Sequence, residues 1–158
     1  MARISQRAIP IALVVIVALL LVARIAAHFM KDEPKPAAGS LVQWMSIDDG
    51  LAAARASGKP VLFDFTAEWC APCHVLDEQV FRNGAMAAEI NRRFVPIRVT
   101  DRQSEEGRNL PAVDELQQRY SVRAFPTVIF ASADGVELAR QEGFPGVERF
   151  RSLMERVR

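Results

Sequence analysis

The sequence predicts an α/β domain in which helices flank a central sheet, preceded by one long apolar segment. Short apolar runs rich in β-branched residues alternate with stretches whose apolar residues recur at helical spacing, which is the pattern of a sheet covered by helices. The only two cysteines among the 158 residues, Cys70 and Cys73, directly follow one of these runs. A strand that is followed by two closely spaced cysteines and then by a helix predicts a reactive site at the junction of strand and helix.

The first predicted element is a transmembrane helix at 9–30, behind a short basic segment at 1–8. Its apolar stretch covers 22 residues if Arg24 is tolerated, and about 20 residues span a bilayer. Arg24 lies near one end, where its aliphatic stem lets the charged group reach the interface. The small-x-small pattern of a cleavage site is poor near the end of the run, which favours an uncleaved anchor over a secreted, soluble form.

A polar linker at 31–40, which contains two prolines, joins this segment to the domain at 41–158. That composition suits a short, semi-extended tether. Basic residues flank both ends of the apolar segment and leave its orientation open. A single N-terminal anchor in the inner membrane most simply places the domain outside, in the periplasm if the source is a bacterium. From Ser40 onward there are 15 basic and 17 acidic residues without a basic stripe, which gives no indication of a nucleic-acid partner.

Local patterns predict the elements of the first half of the domain. A helix is capped by Ser46 and ended by Gly58, and a buried strand of apolar and β-branched residues follows it. A second helix begins at the cysteines and is followed by another helix and another strand. These elements are predicted at 46–56, at 60–66, from Cys70 to about Phe81, at 85–94 and at 94–99.

The second half begins with a polar stretch at 101–110, which fits either a surface loop or the start of a longer helix to Tyr120. Pro111 suits the first turn of a helix. Two short strands then flank Asp134-Gly135, the signature of an antiparallel hairpin, and an amphipathic helix closes the chain. The predicted bounds are 127–131 and 136–140 for the strands and 147–157 for the helix.

The cysteines are predicted to form a redox pair. Two thiols at positions i and i+3 on the opening turn of a helix can close a small disulfide. The first thiol then lies near unpaired backbone N–H groups and the positive end of the helix dipole, which stabilise a thiolate. This position predicts Cys70 as the nucleophile and Cys73 as the residue that resolves the mixed disulfide.

Three other interpretations of the pair stay open at this point. A structural zinc site takes four Cys or His ligands, and the sequence has no second cysteine pair. The run from Cys70 to His74 matches C-x-x-C-H, the attachment pattern of c-type haem, although Pro72 and the upstream strand suit a redox turn better. The third interpretation is an inert structural disulfide, but so small a loop constrains little of the unfolded chain.

Around these residues the chain resembles the thioredoxin superfamily. The resemblance covers roughly 41–158 and is carried by Asp64, Trp69, Cys70, Pro72, Cys73 and Phe125-Pro126-Thr127. It implies the thioredoxin fold, a central mixed β-sheet flanked by helices. Within the superfamily the chain looks most like the C-terminal redox domain of the membrane electron-transfer proteins called thiol:disulfide interchange protein DsbD. That similarity is carried by the frame Asp-x-x-Ala-x-Trp-Cys-x-x-Cys, Asp77, Phe81 and Gly143-Phe144, whereas the dipeptide Ala71-Pro72 departs from both groups.

The resemblance also implies roles for single residues. Asp64 corresponds to a buried carboxylate that acts as the base for Cys73, because desolvation raises the pKa of an aspartate toward a useful range. Pro126 corresponds to the cis-proline of a loop that faces the cysteines and pairs with an extended client segment. Client binding is further expected of Trp69, Pro72 and Phe125, and His74 and Asp77 are candidate modulators of the thiols.

The implied function is that of a membrane-tethered thiol:disulfide oxidoreductase, more a reductant than an oxidant, that uses the Cys70–Cys73 disulfide without a metal or cofactor. Its expected partners are protein disulfides or dithiols and an upstream membrane thiol that donates electrons. Two alternatives belong to other classes. One is a redox-inactive, chaperone-like module that binds peptides near Pro126, and the other is an electron carrier with a c-type haem.

Overall fold

The computed structural model describes residues 11–29 and 41–157. The predicted basic segment at 1–8 and the predicted linker at 31–40 lie outside the described residues. The chain divides into two units, one up to Glu33 and one from Pro34 to Arg158. The first unit contains helix α1, Ile11–Phe29, within the predicted apolar segment. Among the described residues, no helix combines the length with the apolar character that crossing a bilayer requires.

The second unit alternates helices and strands around one sheet. Its elements are α2 (Ile47–Ser57), β1 (Val61–Ala67), α3 (Ala71–Leu76), a π-helix (Asp77–Phe81), α4 (Gly84–Arg93), β2 (Val95–Asp101), α5 (Gln103–Glu106), α6 (Pro111–Arg119), β3 (Thr127–Ala131), β4 (Glu137–Glu142) and α7 (Val147–Arg156). The strands have the order β2-β1-β3-β4. β1 is parallel to β2 and antiparallel to β3, and β3 is antiparallel to β4. The mixed sheet flanked by helices confirms the predicted fold class.

Two apolar layers cover the opposite faces of the sheet. Phe63 and Phe65 of β1 belong to the layer formed with α2 and α6. Leu62 belongs to the other layer, which contains side chains of α3, the π-helix, α4 and α7. Successive side chains of a strand alternate between faces, so Asp64 lies on the face of Leu62, which is covered by the helix that carries Cys73. Because both faces are covered, β1 is buried along nearly its whole length.

Helix α2 begins and ends where its sequence predicts. Ser46 caps the helix, because its side chain accepts a hydrogen bond from the N–H of Asp49. Gly58 ends it with a φ of 69°, a conformation that glycine adopts without steric cost. Gly50 packs so closely on β2 that an added Cβ would collide with Cγ1 of Ile97. Only glycine at that position lets α2 lie this near to the sheet.

The helix that begins at the cysteines differs from its prediction. It is regular only to Leu76, and the stretch from Asp77 to Phe81 is a π-helix. In a π-helix the hydrogen bonds join residues i and i+5, and such turns are rare and occur mostly as single insertions in α-helices. Helical spacing of apolar residues therefore predicts the length of this segment but not the change of pitch.

The stretch at 101–110 is neither a plain loop nor the start of a longer helix. Asp101 ends β2, the four residues Gln103–Glu106 form α5, and α6 begins separately at Pro111. The hairpin also differs slightly, because its second strand is Glu137–Glu142. Its turn is held by two backbone hydrogen bonds, from Gly135 N–H to Ser132 O and from Ser132 N–H to Val136 O. The wider turn moves the start of the strand beyond Val136.

Candidate active site

The candidate active site lies at the start of α3, directly after β1. Cys70 is the residue that caps α3, and Cys73 lies in its first turn. Their sulfur atoms form a disulfide, and their Cα atoms are 5.3 Å apart. The backbone N–H of Cys73 donates a hydrogen bond to Sγ of Cys70 at 3.2 Å. The structure therefore places Cys70 at the helix end that the sequence predicts, with a backbone donor directed at its sulfur.

Neighbouring side chains enclose the disulfide almost completely. Cys70 is 1% exposed and Cys73 is 6% exposed. Both pack with Ala67 and with Phe125, which precedes β3. Trp69 is 59% exposed, and its ring meets that of Phe125 edge-on with the centroids 6.0 Å apart. An apolar rim thus borders the disulfide. Because both cysteines are buried to a similar degree, exposure does not indicate which of them is the nucleophile.

The loop before β3 completes the rim. The peptide bond between Phe125 and Pro126 is cis, the conformation that the resemblance implies. Pro126 is buried, and its carbonyl accepts a hydrogen bond from the N–H of Gly143 at 2.8 Å. The hydroxyl of Thr127 donates to the carbonyl of Ala124 at 2.8 Å, which joins the two ends of the loop. Phe125 is thereby held against the disulfide by a loop with internal hydrogen bonds.

Asp64 lies on β1, six residues before Cys70, and is only 2% exposed. Its Oδ2 accepts a hydrogen bond from Nε of Arg98 at 2.9 Å. Its Oδ1 is buried and has no hydrogen-bond partner among the described residues. Burial raises the pKa of the Asp64 carboxyl, the charge and the hydrogen bond of Arg98 lower it, and the charge of Asp77 raises it, so that the pKa lies above its ordinary value. The predicted burial of Asp64 is present, and the carboxylate is more basic than an exposed one.

Arg98 joins Asp64 to Asp77. The second edge of its guanidinium donates through Nη2 to Oδ1 of Asp77 at 2.7 Å, and its side chain is 10% exposed. The guanidinium carbon lies 4.2 Å from the ring centroid of Trp44 and 5.5 Å from that of Phe81. A guanidinium that binds two carboxylates and stacks on aromatic rings is confined to one position.

Sequence reasoning did not identify Arg98. The parallel register of β1 and β2 places Arg98 beside Asp64. The available signal is a single charged residue inside the apolar run from Val95 to Val99, because a charge in a buried strand requires a partner. The sequence contains that charge but not its partner, because the register between two strands is set by tertiary pairing.

Asp77, the first residue of the π-helix, binds Arg98 through Oδ1. The other oxygen of Asp77, Oδ2, accepts a hydrogen bond from Nε of Arg82 at 3.2 Å. Arg82 also pairs with Glu78, at 2.8 Å. Single π-helical turns occur frequently at functional sites. The structure thus connects Asp77 to the site through Arg98.

His74 and Pro72 lie on the exposed side of α3. The Nε2 atom of His74 is 3.0 Å from the carbonyl oxygen of Glu68, and a carbonyl only accepts, so Nε2 carries the proton. This contact joins His74 to the backbone before Cys70 rather than to a sulfur. Pro72 is the second residue of α3. The N–H groups of the first helical turn have no partner within the helix, so a proline at this position costs no hydrogen bond.

Another buried carboxyl, Asp101, ends β2 and has the opposite electrostatic environment. Its oxygens accept hydrogen bonds from the side-chain amides of Asn109 and Gln117 at 2.8 and 2.9 Å and from the N–H of Gln103 at 3.1 Å. Burial alone would raise its pKa, but these hydrogen bonds together hold the pKa of Asp101 below its ordinary value. Asp101 therefore orders the following loop as a charged carboxylate.

Comparisons with known proteins agree with this geometry. Residues 47–158 match the family described as Thioredoxin-like domain. The chain is similar to Thiol:disulfide interchange protein DsbD of Vibrio vulnificus, at 34% identity over 109 residues that cover 68% of this chain but only 17% of that protein. Disulfide bond reductase DsbH of Chlamydia pneumoniae is 26% identical over 118 residues, which cover 73% of this chain and 71% of that protein. A solved structure described as DsbH Oxidoreductase has a TM-score of 0.62 and 26% identity, and the match covers 81% of this chain and 94% of that one.

The two buried carboxyls predict opposite effects of pH on stability. The folded pKa of Asp64 is raised, so its contribution to the free energy of unfolding is present below the ordinary value of 3.8 and is lost as pH rises through the folded pKa. The pKa of Asp101 is lowered, so its contribution is present above 3.8 and is lost as pH falls through the folded pKa. Relative to the wild type, Asp64→Asn should therefore gain stability as pH rises, whereas Asp101→Asn should lose it.

Urea unfolding of the oxidised protein and both variants, from about pH 3 to pH 8, measures these differences. Asp101→Asn is the matched control, because it removes a buried carboxylate that lies on the same sheet. Parallel curves for the wild type and Asp64→Asn would contradict the raised pKa of Asp64.

Proposed function

We propose that this chain, which belongs to the Thioredoxin-like domain family, is a thiol:disulfide oxidoreductase that exchanges disulfides with protein partners through Cys70 and Cys73. The observation that carries the proposal is the Cys70–Cys73 disulfide at the start of α3, on the face of the sheet that also holds the buried carboxylate of Asp64. Thiol exchange requires a thiolate that attacks a disulfide. A basic carboxylate beside the pair can accept the proton of the second thiol, and an apolar rim can bind a client segment.

The first step is the attack of the Cys70 thiolate on a client disulfide. A bond forms between Sγ of Cys70 and one client sulfur, and the other client sulfur leaves as a thiolate. The N–H of Cys73, which donates to Sγ of Cys70 in the disulfide, is placed to stabilise the thiolate form, and so is the start of α3. This assigns the role of nucleophile to Cys70 by its hydrogen bond, because burial is similar for the two sulfurs.

The second step is resolution by Cys73. Its thiol gives a proton to the carboxylate of Asp64, and the resulting thiolate attacks Sγ of Cys70. The Cys70–Cys73 bond forms, the bond from Cys70 to the client breaks, and the second client sulfur leaves as a thiolate. The dithiol thus delivers two electrons to the client disulfide and ends as the disulfide present in this structure.

Client binding is assigned to the rim. Trp69 and Pro72 are exposed beside the disulfide and offer apolar surface to a client segment, and Phe125 covers the sulfurs from the opposite loop. The carbonyl of Pro126 is already bonded to Gly143, so any strand pairing at this loop uses the backbone of Phe125. Pro126 contributes to binding by holding that residue in place.

The two other candidate functions have less support. A redox-inactive, peptide-binding module has no need of a cysteine pair at a helix start. A c-type haem requires both sulfurs for attachment and a histidine nitrogen for iron, whereas the sulfurs are bonded to each other and Nε2 of His74 contacts Glu68. A visible absorption spectrum of the purified protein tests the haem alternative.

The proposed direction is reduction of client disulfides. It is supported by the names of two relatives, an interchange protein and a disulfide bond reductase. Electrons then have to come from an upstream membrane thiol, which reduces the Cys70–Cys73 disulfide after each turnover. The matched region is only 17% of the interchange protein, so the electron donor of that protein is not carried over to this chain.

A membrane tether completes the proposal. The apolar segment at 9–30 is assigned as an uncleaved, single-pass inner-membrane anchor, with the redox domain in the periplasm if the source is bacterial. The support is the sequence itself, with its apolar run and the poor cleavage pattern at the end of that run. The competing possibility is a soluble form secreted after cleavage.

Substitution of each cysteine tests the division of labour. With an aromatic disulfide whose released thiolate is coloured, the reduced wild type should release two equivalents, the first by attack of Cys70 and the second by resolution. Cys73→Ser should release one equivalent and stay in the mixed disulfide, because the resolving thiol is absent. Cys70→Ser, the matched control, should form almost no mixed disulfide. Alkylation that labels Cys73 before Cys70 would contradict the assignment.

The redox potential of the couple tests the direction. Equilibration of the Cys70–Cys73 pair with glutathione should give a potential nearer to the roughly −270 mV of thioredoxin than to the roughly −120 mV of a strong periplasmic oxidant. A reductant needs the lower value, because electrons flow from the couple of lower potential to the client. A value near −120 mV would reassign the protein as an oxidant.

Carbonate extraction tests the tether. The full chain should remain with the membranes, and Leu20→Arg should release it, because an arginine at the centre of a spanning helix costs about 2.5 to 3.5 kcal/mol. Leu138→Arg, which changes an exposed leucine of the redox domain, is the control and should leave the protein in the membrane. Recovery of a shortened, soluble chain that begins near Gly39 would establish cleavage instead.

A further inference from the structure

We propose that His74 is a positioning residue for client binding, because its imidazole fixes the backbone of the turn that carries Trp69. Its Nε2 donates to the carbonyl of Glu68, the residue directly before Trp69. The inference rests on the proposed function of the Cys70–Cys73 pair and deepens it. It assigns to His74 a hydrogen bond that orders the client rim, rather than a charge that acts on a sulfur.

The turn between β1 and Cys70 has little support of its own. It consists of Glu68 and Trp69, and one backbone hydrogen bond closes it, from the N–H of Cys70 to the carbonyl of Ala67 at 3.2 Å. Glu68 and Trp69 are both exposed. Exposed segments with few hydrogen bonds open at the lowest free-energy cost in a fold. Contacts from neighbouring elements therefore determine how well Trp69 is held.

Glu68 is contacted from two sides. From α3, Nε2 of His74 lies 3.0 Å from its carbonyl oxygen. From the loop after β2, Nη1 of Arg102 lies 3.3 Å from its Oε1. Arg102 is itself held, because its N–H donates to Oδ1 of Asn109 at 2.6 Å and its guanidinium also pairs with Glu106 at 3.1 Å. Glu68 thus joins the start of α3 to the loop after β2.

The hydrogen bond from His74 is expected to contribute more than the ion pair from Arg102. Arg102 and Glu68 are 44% and 56% exposed, and ion pairs between exposed side chains are weakened by water and salt. Two long side chains also lose freedom when they pair, whereas an imidazole has only two rotatable bonds and here binds the backbone itself. Loss of the His74 donor should therefore weaken client binding more than Arg102→Gln does.

The contact with Glu68 reaches Trp69 through the peptide unit between them. The carbonyl of Glu68, the N–H of Trp69 and both Cα atoms lie in one plane, so a fixed carbonyl fixes where the Trp69 side chain leaves the backbone. The ring of Trp69 is 59% exposed and meets Phe125 edge-on, with 6.0 Å between the centroids. A ring that is already in place costs less ordering when a client segment binds on it.

A charge effect of His74 on Cys70 is the alternative explanation, because a protonated histidine beside a thiolate stabilises it. In this structure Nε2 is directed at the carbonyl of Glu68, and the hydrogen bond to Sγ of Cys70 comes from the N–H of Cys73. Substitution separates the two roles. A glutamine side chain can donate from an amide nitrogen in place of Nε2 but carries no charge.

His74→Gln and His74→Leu in the reduced, full-length protein test the inference. The probe is an extended peptide whose single cysteine is bonded to the coloured aromatic thiol, which leaves as a thiolate when Cys70 attacks the peptide sulfur. In stopped-flow mixing, the half-saturating peptide concentration should rise about two- to tenfold in His74→Leu, the usual effect of one lost hydrogen bond. His74→Gln should restore most of the wild-type value. The limiting rate of attack should be the same in all three proteins.

Two controls isolate the rim. The small, symmetric aromatic disulfide does not extend along the rim, so His74→Leu should attack it at the wild-type rate. Gln79→Leu adds the same exposed leucine on the π-helix, at a residue whose side chain makes no hydrogen bond within the described part of the chain. It should bind the peptide as the wild type does.

The position of Trp69 can be observed directly by fluorine NMR of protein labelled with 5-fluorotryptophan. The chain has two tryptophans, and Trp69→Phe assigns their resonances. The Trp69 resonance should broaden or shift in His74→Leu and return to the wild-type position in His74→Gln. The resonance of Trp44, which stacks on Arg98, should stay unchanged in both variants and reports that the fold is intact.

The outcomes separate this inference from the proposed function. If the wild type attacks neither disulfide, the proposed function fails. If it attacks both but His74→Leu leaves the half-saturating peptide concentration unchanged, the role of His74 fails while the function stands. If His74→Gln and His74→Leu slow attack on both disulfides alike and shift the pH profile of Cys70 alkylation, His74 acts by its charge and the inference is overturned. If His74→Leu does not fold, His74→Asn, whose amide is too short to reach Glu68, should show the same rise and decides the question.

Discussion

A carboxylate on a covered face of a sheet is costly to bury unless it is protonated or paired with a cation. In this protein the buried carboxylate of Asp64 is paired with Arg98, and Arg98 also binds Asp77. Asp64 and Arg98 lie side by side on parallel strands, and Asp77 binds the other edge of the same guanidinium. A fuller pairing with Arg98 would lower the pKa of Asp64, and loss of that pairing would raise it further. The proposed exchange depends on this balance, because the resolving thiol has to lose a proton inside a site from which water is largely excluded.

One strand supplies both parts of the site. β1 carries Asp64 in its interior, and the turn after its last residue, Ala67, leads to Cys70. Helix α3 then crosses the face on which Asp64 lies and carries Cys73. The six residues from Asp64 to Cys70 thus cover the last part of β1 and the turn that connects it to α3.

Local pattern and resemblance predicted much of this molecule correctly. The cap at Ser46, the buried strand before the cysteines, the cysteine pair at a helix start and the hairpin around Gly135 depend on residues close together in sequence. The family match and the similar relatives confirm the resemblance, which a few residues around the cysteines and before β3 carried. The burial of Asp64 was also expected, from its aromatic neighbours. Those rings face the other side of the sheet, and the layer on the face of Asp64 contains side chains of α3, the π-helix, α4 and α7.

The sequence by itself determined the class of the fold and the position of the redox pair, because hydrophobic periodicity, capping and the spacing of two cysteines are properties of neighbouring residues. Only the tertiary structure decided which charge meets Asp64, because that depends on the register between strands 34 residues apart. It also decided that Asp77 faces the same guanidinium and that Phe125 covers the sulfurs from a loop more than 50 residues away. These contacts join distant parts of the chain, and they stabilise the fold only once the helices have packed on the sheet.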